Sequence, residues 1–324
     1  MMEPIGRSQG SGISLGIALW NQAATWAEFE TAARRIDNLG YDHVFTWDHL
    51  YGIGGDPYQP TFEGYSALAA LAEVTQKVRL GLFVGAVTFR NPAIVAKALT
   101  TIDQISGGRA IAALGGAWFE PEHEAAGIDF GRSVGERLDW LDEAAGALRT
   151  LFDGGTVTSE PDAHYDFKGL VLLPLPVQTH LPILIGGGGE RKTLRIVAQH
   201  ADMWNGGGSV EQLAHKRDVL WRHCETIGRD PAEIELTASF WPIIRSTEAE
   251  AREVWEATVE RNRIPRDETE GDDAWWVGTP DLIAERLRDR VAIGFRTFIA
   301  ELPAPYDDET LERLISEVRP ATES

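Results

Sequence analysis

The chain alternates short apolar runs with longer amphipathic segments about eight times along its 324 residues. Strands that alternate with helices predict a parallel sheet, and eight such units in a chain of this length predict an α/β fold of the (β/α)8 TIM-barrel type. The runs that we predict to be strands are 13–19, 42–47, 78–87, 109–114, 182–186, 201–205, 234–240 and 295–302.

Capping signals mark the helices between these runs. Thr25 and Glu28 form a capping box, and an apolar stripe then runs to Gly40, which predicts the first helix. Another helix is predicted to begin at Asn91, which acts as the N-cap, with Pro92 in the first turn. Further helices are predicted over 63–75, 131–152, 191–199, 210–228, 308–318 and from Thr279 onward.

Three stretches do not fit a simple strand and helix repeat. We interpret the chain as one TIM-barrel domain over residues 1–324, with insertions on the rim near 115–131, 153–180 and 246–276. The last of these is strongly charged, and the second is rich in turn residues.

Composition excludes several classes of function. The net charge of −20 opposes binding to nucleic acid or to an anionic membrane. No apolar run approaches the roughly 18 residues of a membrane helix, and the first residues lack a signal-peptide core, so we expect a cytoplasmic protein. The single cysteine, Cys224, cannot form an internal disulfide, and we expect its thiol to be buried and inert.

Four consecutive glycines, Gly186 to Gly189, follow the fifth strand and precede a helix. The loop fails the P-loop pattern because Arg191 stands at the second glycine position, and it fails the dinucleotide fingerprint as well. Glycine amides at a helix N-terminus still form an anion site, and Arg191 and Lys192 add positive charge. The alternative is a flexible turn beside a solvated basic face. We favour the phosphate site, because this end of a barrel strand is the catalytic face.

Other chemical side chains also lie at strand ends. Asp48 and His49 follow the second strand, where a histidine beside a carboxylate suits proton transfer near neutral pH, although such a pair can also be structural. The run from Glu120 to Glu124 could imitate a metal site, but we interpret it as the acidic first turn of a rim helix and predict no metal. Four tryptophans near strand ends offer flat surfaces to a planar ring, namely Trp20, Trp47, Trp118 and Trp204.

Five segments in register resemble the luciferase-like flavin oxidoreductases, and most closely the branch that uses the deazaflavin coenzyme F420. They are TWDHL, TFRNPAIVAKALTTIDQISGGR, ALGGAWFEPEHEAAGIDF, LPILIGGGGERKTLRIVAQHADMWN and VGTPDLIAERL, and the resemblance runs from Leu15 to about Glu317.

The resemblance implies a TIM-type barrel with the flavin ring in its mouth. It implies that the loop of Gly187, Gly188 and Gly189 holds the cofactor phosphate, and that a cis non-proline peptide at Phe83–Val84 lies behind the ring. It also implies that Asp48 contacts the ring and that His49 is the catalytic histidine. The remaining residues that we assign to the cofactor site are Arg191, Lys192, Trp204 and Asn205.

The chain also departs from the alcohol and sugar-phosphate dehydrogenases of that branch. Their glutamate after the fourth strand aligns with Trp118, and their tryptophan four residues beyond the histidine aligns with Ile53. We therefore expect a more apolar or planar substrate, in a pocket of Trp20, Trp47 and Trp118.

The resemblance implies an F420-dependent oxidoreductase, acting as a reductase on a small organic molecule. An FMN-dependent monooxygenase that uses molecular oxygen is the alternative, and a flavin carrier without catalysis is a third. Relatives usually associate through barrel helices, so we also expect a homodimer.

Overall fold

Eight parallel strands close into a barrel in the computed structural model, which describes residues 12–265 and 275–323. The barrel order is β1, β2, β3, β5, β6, β7, β8 and β10, and β10 pairs with both β8 and β1. The predicted TIM barrel is therefore confirmed. The strands are β1 (Ser14–Leu19), β2 (His43–Thr46), β3 (Arg79–Leu82), β4 (Gly85–Ala86), β5 (Ala110–Gly115), β6 (Ile183–Gly186), β7 (Met203–Gly206), β8 (Glu235–Ile244), β9 (Trp275–Gly278) and β10 (Thr297–Leu302).

Helices cover the outside of the barrel. The predicted capping box of the first helix is formed, with the Thr25 hydroxyl accepting from the Glu28 amide and the Glu28 carboxylate accepting from the Thr25 amide. The helices are α1 (Trp26–Leu39), α2 (Gly64–Val74), α3 (Pro92–Ser106), α4 (Glu120–Ala126), α5 (Val134–Phe152), α6 (Thr193–His200), α7 (Val210–Ile227), α8 (Glu248–Asn262), α9 (Pro280–Ala292), α10 (Asp308–Arg313) and α11 (Arg319–Glu323).

The third predicted strand is interrupted. The sequence predicts one strand over 78–87, whereas the structure divides it into β3 and β4 around Phe83 and Val84. The peptide bond between these two residues is cis, as the resemblance implied.

The three proposed insertions contain regular structure. The first insertion, near 115–131, holds α4, and the second, near 153–180, holds a hairpin bridge between Val157 and Leu170. The Tyr165 hydroxyl donates to the Val87 carbonyl at 3.3 Å, which brings the hairpin to the C-terminal end of β4. The third insertion holds α8 and the start of β9, a strand that pairs with the end of β8, while 266–274 lie outside the described residues.

Apolar side chains fill the barrel interior. One small cluster lies inside the ring of strands, and a larger core lies between the strands and the helices. Because the interior is packed, a ligand has room only above it, at the C-terminal ends of the strands. The interior cluster consists of Ala18, Phe45, Ile111, Ala113, Leu184, Met203 and Ile299.

No helix in the described ranges is long and apolar enough to cross a bilayer.

Candidate active site

Tryptophans line one side of the barrel mouth. The rings of Trp20 and Trp47 lie 4.3 Å apart between centroids, and Trp241 meets the edge of Trp20 at 6.3 Å. Trp20 and Trp47 are only 3% and 4% exposed, so they form a wall rather than a free stacking surface. Trp118 is different, because it is 63% exposed and stands at the rim.

His49 is held in place by a buried carboxylate on α4. Its Nδ1 lies 2.7 Å from Glu122 Oε1, while Glu122 Oε2 accepts from the Leu50 amide at 2.7 Å. The Glu122 side chain is 1% exposed, and that of His49 is 12% exposed. The ring of Trp118 lies 5.8 Å from that of His49. The arrangement fixes the imidazole by one nitrogen and leaves Nε2 available for proton exchange.

Asp48 does not partner His49, which corrects the pairing expected from the sequence. Its Oδ2 accepts from the Ala86 amide at 2.9 Å and from Arg90 Nη1 at 2.8 Å. Burial raises the pKa of Asp48, and the neighbouring Arg90 guanidinium opposes that shift. The two neighbours diverge because consecutive side chains at a strand end point in different directions. At 2% exposure, Asp48 holds β4 in place and offers little surface to a ring.

The glycine loop is positioned from behind by Trp204 and Asn205. The Trp204 indole donates to the Gly187 carbonyl at 2.7 Å, and the Gly187 amide donates to the Asn205 carbonyl at 3.1 Å. Trp204 is fully buried, and the Asn205 amide group donates to Thr237 Oγ1 at 3.1 Å. The expectation that Trp204 faces a cofactor ring is therefore wrong. Both residues shape the loop instead.

A lysine on α7 lies over the loop. A Cβ built on Gly188 would lie 2.6 Å from Lys216 Nζ, so the lysine side chain packs directly against the backbone of the loop. Gly187 has φ of +117°, a conformation that glycine adopts most readily. Within the described ranges Lys216 has no ion-pair partner, which leaves its charge available to an anion.

The two basic residues that the sequence assigned to this loop behave differently. Lys192 Nζ donates to the Gly135 carbonyl at 2.8 Å and to Asp139 Oδ1 at 2.6 Å, so its charge is already compensated. Arg191 is exposed beside the loop. Lys192 is also the N-cap residue of α6, and its ammonium group cannot accept hydrogen bonds. The amides in the first turn of α6 therefore have no side-chain cap.

Val84 lies in a niche that glycines create. A Cβ on Gly115 would lie 2.6 Å from Val84 Cγ2, and one on Gly186 would lie 3.1 Å from the same atom. Phe83 packs on Phe45 with their ring centroids 5.5 Å apart. Phe83 and Val84 therefore contact the top of the apolar barrel interior, at the floor of the mouth.

Glu301 on β10 is a further acidic group in the mouth. Its Oε2 accepts from the Trp47 indole at 3.3 Å. Burial raises the pKa of Glu301 to about 7, and the indole N–H groups of Trp241, Trp47 and Trp20 partly oppose this rise. Of these three donors, Trp20 and Trp241 do not meet hydrogen-bond geometry.

Sequence reasoning missed Glu122, Lys216 and Glu301. Glu301 did carry a signal, because it is a charged residue inside the otherwise apolar run FIAEL at the end of a predicted strand. Glu122 lies in the rim helix that the sequence predicted, but its contact with His49 spans 73 positions. Lys216 lies on an ordinary amphipathic helix with no local signal. Across residues 12–265 and 275–323, no cluster of three His, Cys, Asp or Glu side chains is arranged to hold a metal.

Curated proteins similar to this chain include an uncharacterized protein and a monooxygenase. An uncharacterized protein of Mycobacterium tuberculosis strain H37Rv is 31% identical over 193 residues, which are 53% of this chain and 65% of that protein. The pyrimidine monooxygenase RutA of Stutzerimonas stutzeri is 29% identical over 230 residues, which are 69% of this chain and 62% of that protein. The matched region thus spans just under two thirds of the length of these relatives.

Solved structures share the fold over nearly the whole chain. An F420-dependent secondary alcohol dehydrogenase in complex with an F420-acetone adduct superposes with a TM-score of 0.81 and 19% identity, over 96% of this chain and 99% of that one. At this identity the likeness shows the fold alone. The family model of the luciferase-like monooxygenases matches residues 9–297, and the chain therefore belongs to that family of oxidoreductases.

Proposed function

We propose that the protein is a coenzyme F420-dependent oxidoreductase that transfers a hydride between the deazaflavin and a small, planar organic substrate. The observation that carries the proposal is the glycine loop at the end of a barrel strand, beside the mouth that holds His49 and Glu122. Lys216 lies over this loop and has no ion-pair partner in the part of the chain that the structure describes.

The residues present fit a phosphate-bearing cofactor. Gly187 and Gly188 expose backbone, the first turn of α6 lacks a side-chain cap, and Lys216 supplies positive charge above the loop. The protein has a net charge of −20, so an anionic cofactor depends on such local cations. Arg191 is the exposed cation that would meet a more distant acidic group, such as the glutamyl tail of F420.

The site would divide the chemistry between cofactor and protein. The bound deazaflavin would supply or accept the hydride. The apolar floor at Phe83 and Val84 and the wall of Trp20 and Trp47 would exclude water from the reacting atoms. His49, oriented by Glu122 through Nδ1, would exchange a proton with the substrate from Nε2.

An FMN-dependent monooxygenase is the second candidate. The observation that favours it is the sequence match to a pyrimidine monooxygenase. FMN also carries a phosphate, so the glycine loop alone does not discriminate between the two cofactors. A third candidate, a carrier that binds a flavin without turnover, differs from both because it would bind cofactor and show no chemistry.

Titration of the purified protein with F420 and with FMN tests the proposal. We expect a lower dissociation constant for F420, because its acidic tail adds a contact with Arg191 that FMN lacks. Lys216→Gln should weaken both cofactors, since either phosphate would lose the same cation. Lys168→Gln is the matched control, because that exposed lysine pairs with Asp166 on the hairpin. Tight FMN binding without measurable F420 binding would refute the assignment.

A further inference from the structure

Glu301 occupies an unusual place for a carboxyl group. It lies two residues beyond Ile299 on β10, and residues two apart on a strand share a face. Because Ile299 belongs to the barrel interior, the Glu301 side chain also points into the barrel, one layer above Ile299. It pairs in register with Ala18 of β1, and Ala18 pairs with Phe45 of β2. His49 lies four residues beyond Phe45 along the chain. Glu301 is therefore deeper in the mouth than His49.

Within residues 12–265 and 275–323, no cation compensates this carboxyl. Among the described residues, neither an ion pair nor a nearby basic group contributes to its environment, and its neighbours are the indoles of Trp20, Trp47 and Trp241. Burying a carboxylate without a cationic partner is costly, and a structural role would be served at lower cost by a glutamine or an apolar residue. An isolated ionisable group in a barrel mouth therefore points to chemistry.

We propose that Glu301 is a second acid–base residue of this site, which exchanges a proton with the bound substrate from the floor of the mouth. The inference deepens the proposed function and rests on it. His49 lies nearer the rim, so the two residues serve different atoms of one substrate.

The step balances in the reducing direction as follows. When bound, reduced deazaflavin would supply a hydride to one atom of a polar double bond in the substrate, and the π electrons of that bond would move to its other atom. The O–H bond of the Glu301 carboxyl breaks, and a new bond forms between that proton and the atom that received the electrons. The resulting carboxylate accepts the hydrogen bond of the Trp47 indole and regains a proton from water.

The environment suits both protonation states. Burial raises the pKa of Glu301 to about 7, so the acid and its conjugate base are both populated at neutral pH, as efficient acid–base catalysis requires. The Trp47 indole remains a donor in either state and stabilises the carboxylate when it forms.

The test follows indole N–H resonances by NMR from pH 5 to pH 9 in protein without cofactor. We expect the Trp47 resonance to titrate with a midpoint near 7 in the parent protein. The titration should vanish in Glu301→Gln and persist with an altered midpoint in Glu301→Asp. Glu235→Gln is the matched control, because Glu235 is a half-buried carboxyl at the start of β8, at the opposite end of the barrel, and its pKa is also raised by burial.

Turnover provides the second measurement, with reduced F420 and menadione as a planar hydride acceptor. Glu301→Gln should lower kcat by about 10²- to 10⁴-fold and remove one limb of its pH profile, while Glu235→Gln keeps both. A Trp47 resonance that does not titrate, or that titrates equally in Glu301→Gln, would overturn the inference. Failure of the proposed function is distinct, because it appears as absent F420 binding in a protein whose Trp47 resonance still titrates.

Discussion

The imidazole of His49 is oriented through a chain of contacts that starts at the backbone. The amides of Leu50 and Tyr51 donate to Glu122 Oε2, and Glu122 Oε1 meets His49 Nδ1. Because the carboxylate is buried and held by amides, it defines the direction of the ring. A histidine fixed in this way at a barrel mouth has the geometry that proton transfer requires.

Replacement of His49 by alanine tests this role. We expect turnover to fall by about 10²- to 10⁴-fold, the usual contribution of a positioned acid or base, while cofactor affinity changes much less. Stopped-flow turnover and cofactor titration measure the two effects separately. His200→Ala is a suitable control, because His200 also pairs with a carboxylate, Asp142, but on the outer helices. Equal losses of cofactor affinity and turnover in His49→Ala would show that His49 binds the cofactor and does not transfer a proton.

The sequence located His49 correctly at a strand end but assigned it the wrong partner. Asp48 is adjacent in the chain, yet its carboxylate turns toward Arg90, while Glu122 reaches His49 from a helix 73 positions away. Local patterns report where a strand ends and which side chains follow it. They do not report which side chain from another element arrives there, because that depends on the closed barrel.

At the scale of elements, local sequence patterns predict where a strand or helix lies better than they predict which way its side chains face. The unit formed by β6, its glycine loop and α6 is an example. The sequence predicted the strand, the loop and the helix, since four glycines before a helix are a strong local signal. It misassigned Trp204, because a tryptophan at a strand end can face either the mouth or the outer core. The structure shows the outer core, where Trp204 packs on Phe295 with their ring centroids 5.9 Å apart.

Trp204→Phe tests whether the loop is set from behind. The substitution keeps an aromatic ring in the core and removes the indole N–H that donates to the Gly187 carbonyl. We expect F420 affinity to fall by up to about tenfold, the value of one lost hydrogen bond in loop positioning. Isothermal titration measures the change. Trp26→Phe, which loses an exposed indole contact with Glu30, should bind like the parent. Unchanged affinity in Trp204→Phe would mean that the loop holds its shape without this bond.

At the scale of the whole molecule, the strands close into the barrel that the sequence pattern predicted, and this closure holds the site rigidly. The eight apolar runs become eight paired strands, so no barrel strand is left with an open edge in the described ranges. Quaternary structure has no comparable signal, because an exposed apolar residue on a helix does not identify its partner. The homodimer therefore stays a prediction, which light scattering at micromolar concentration checks.

The closed barrel also buries a histidine far from the mouth. His43 begins β2, is 5% exposed, and its Nδ1 has no hydrogen-bond partner in the described structure. Burial lowers the pKa of His43 from 6.5 to about 3, and the nearby cations Arg79 and Arg319 lower it further. The folded protein therefore holds this imidazole neutral at pH values where the unfolded chain would protonate it.

The free energy of unfolding should consequently depend on pH through His43. Between pH 6.5 and about 3 the unfolded chain binds one more proton at this residue than the folded protein does. Stability that is present above pH 6.5 is therefore lost as the pH falls, by about 2 kcal/mol between pH 8 and pH 5. Urea unfolding of the parent protein and of His43→Leu over that range measures it. The variant should lack this part of the pH dependence, since leucine fills the buried position without titrating.

His215→Gln, at an exposed histidine paired with Glu190, is the control and should keep the parent slope. An identical slope in His43→Leu would show that the loss of stability in acid arises from other groups.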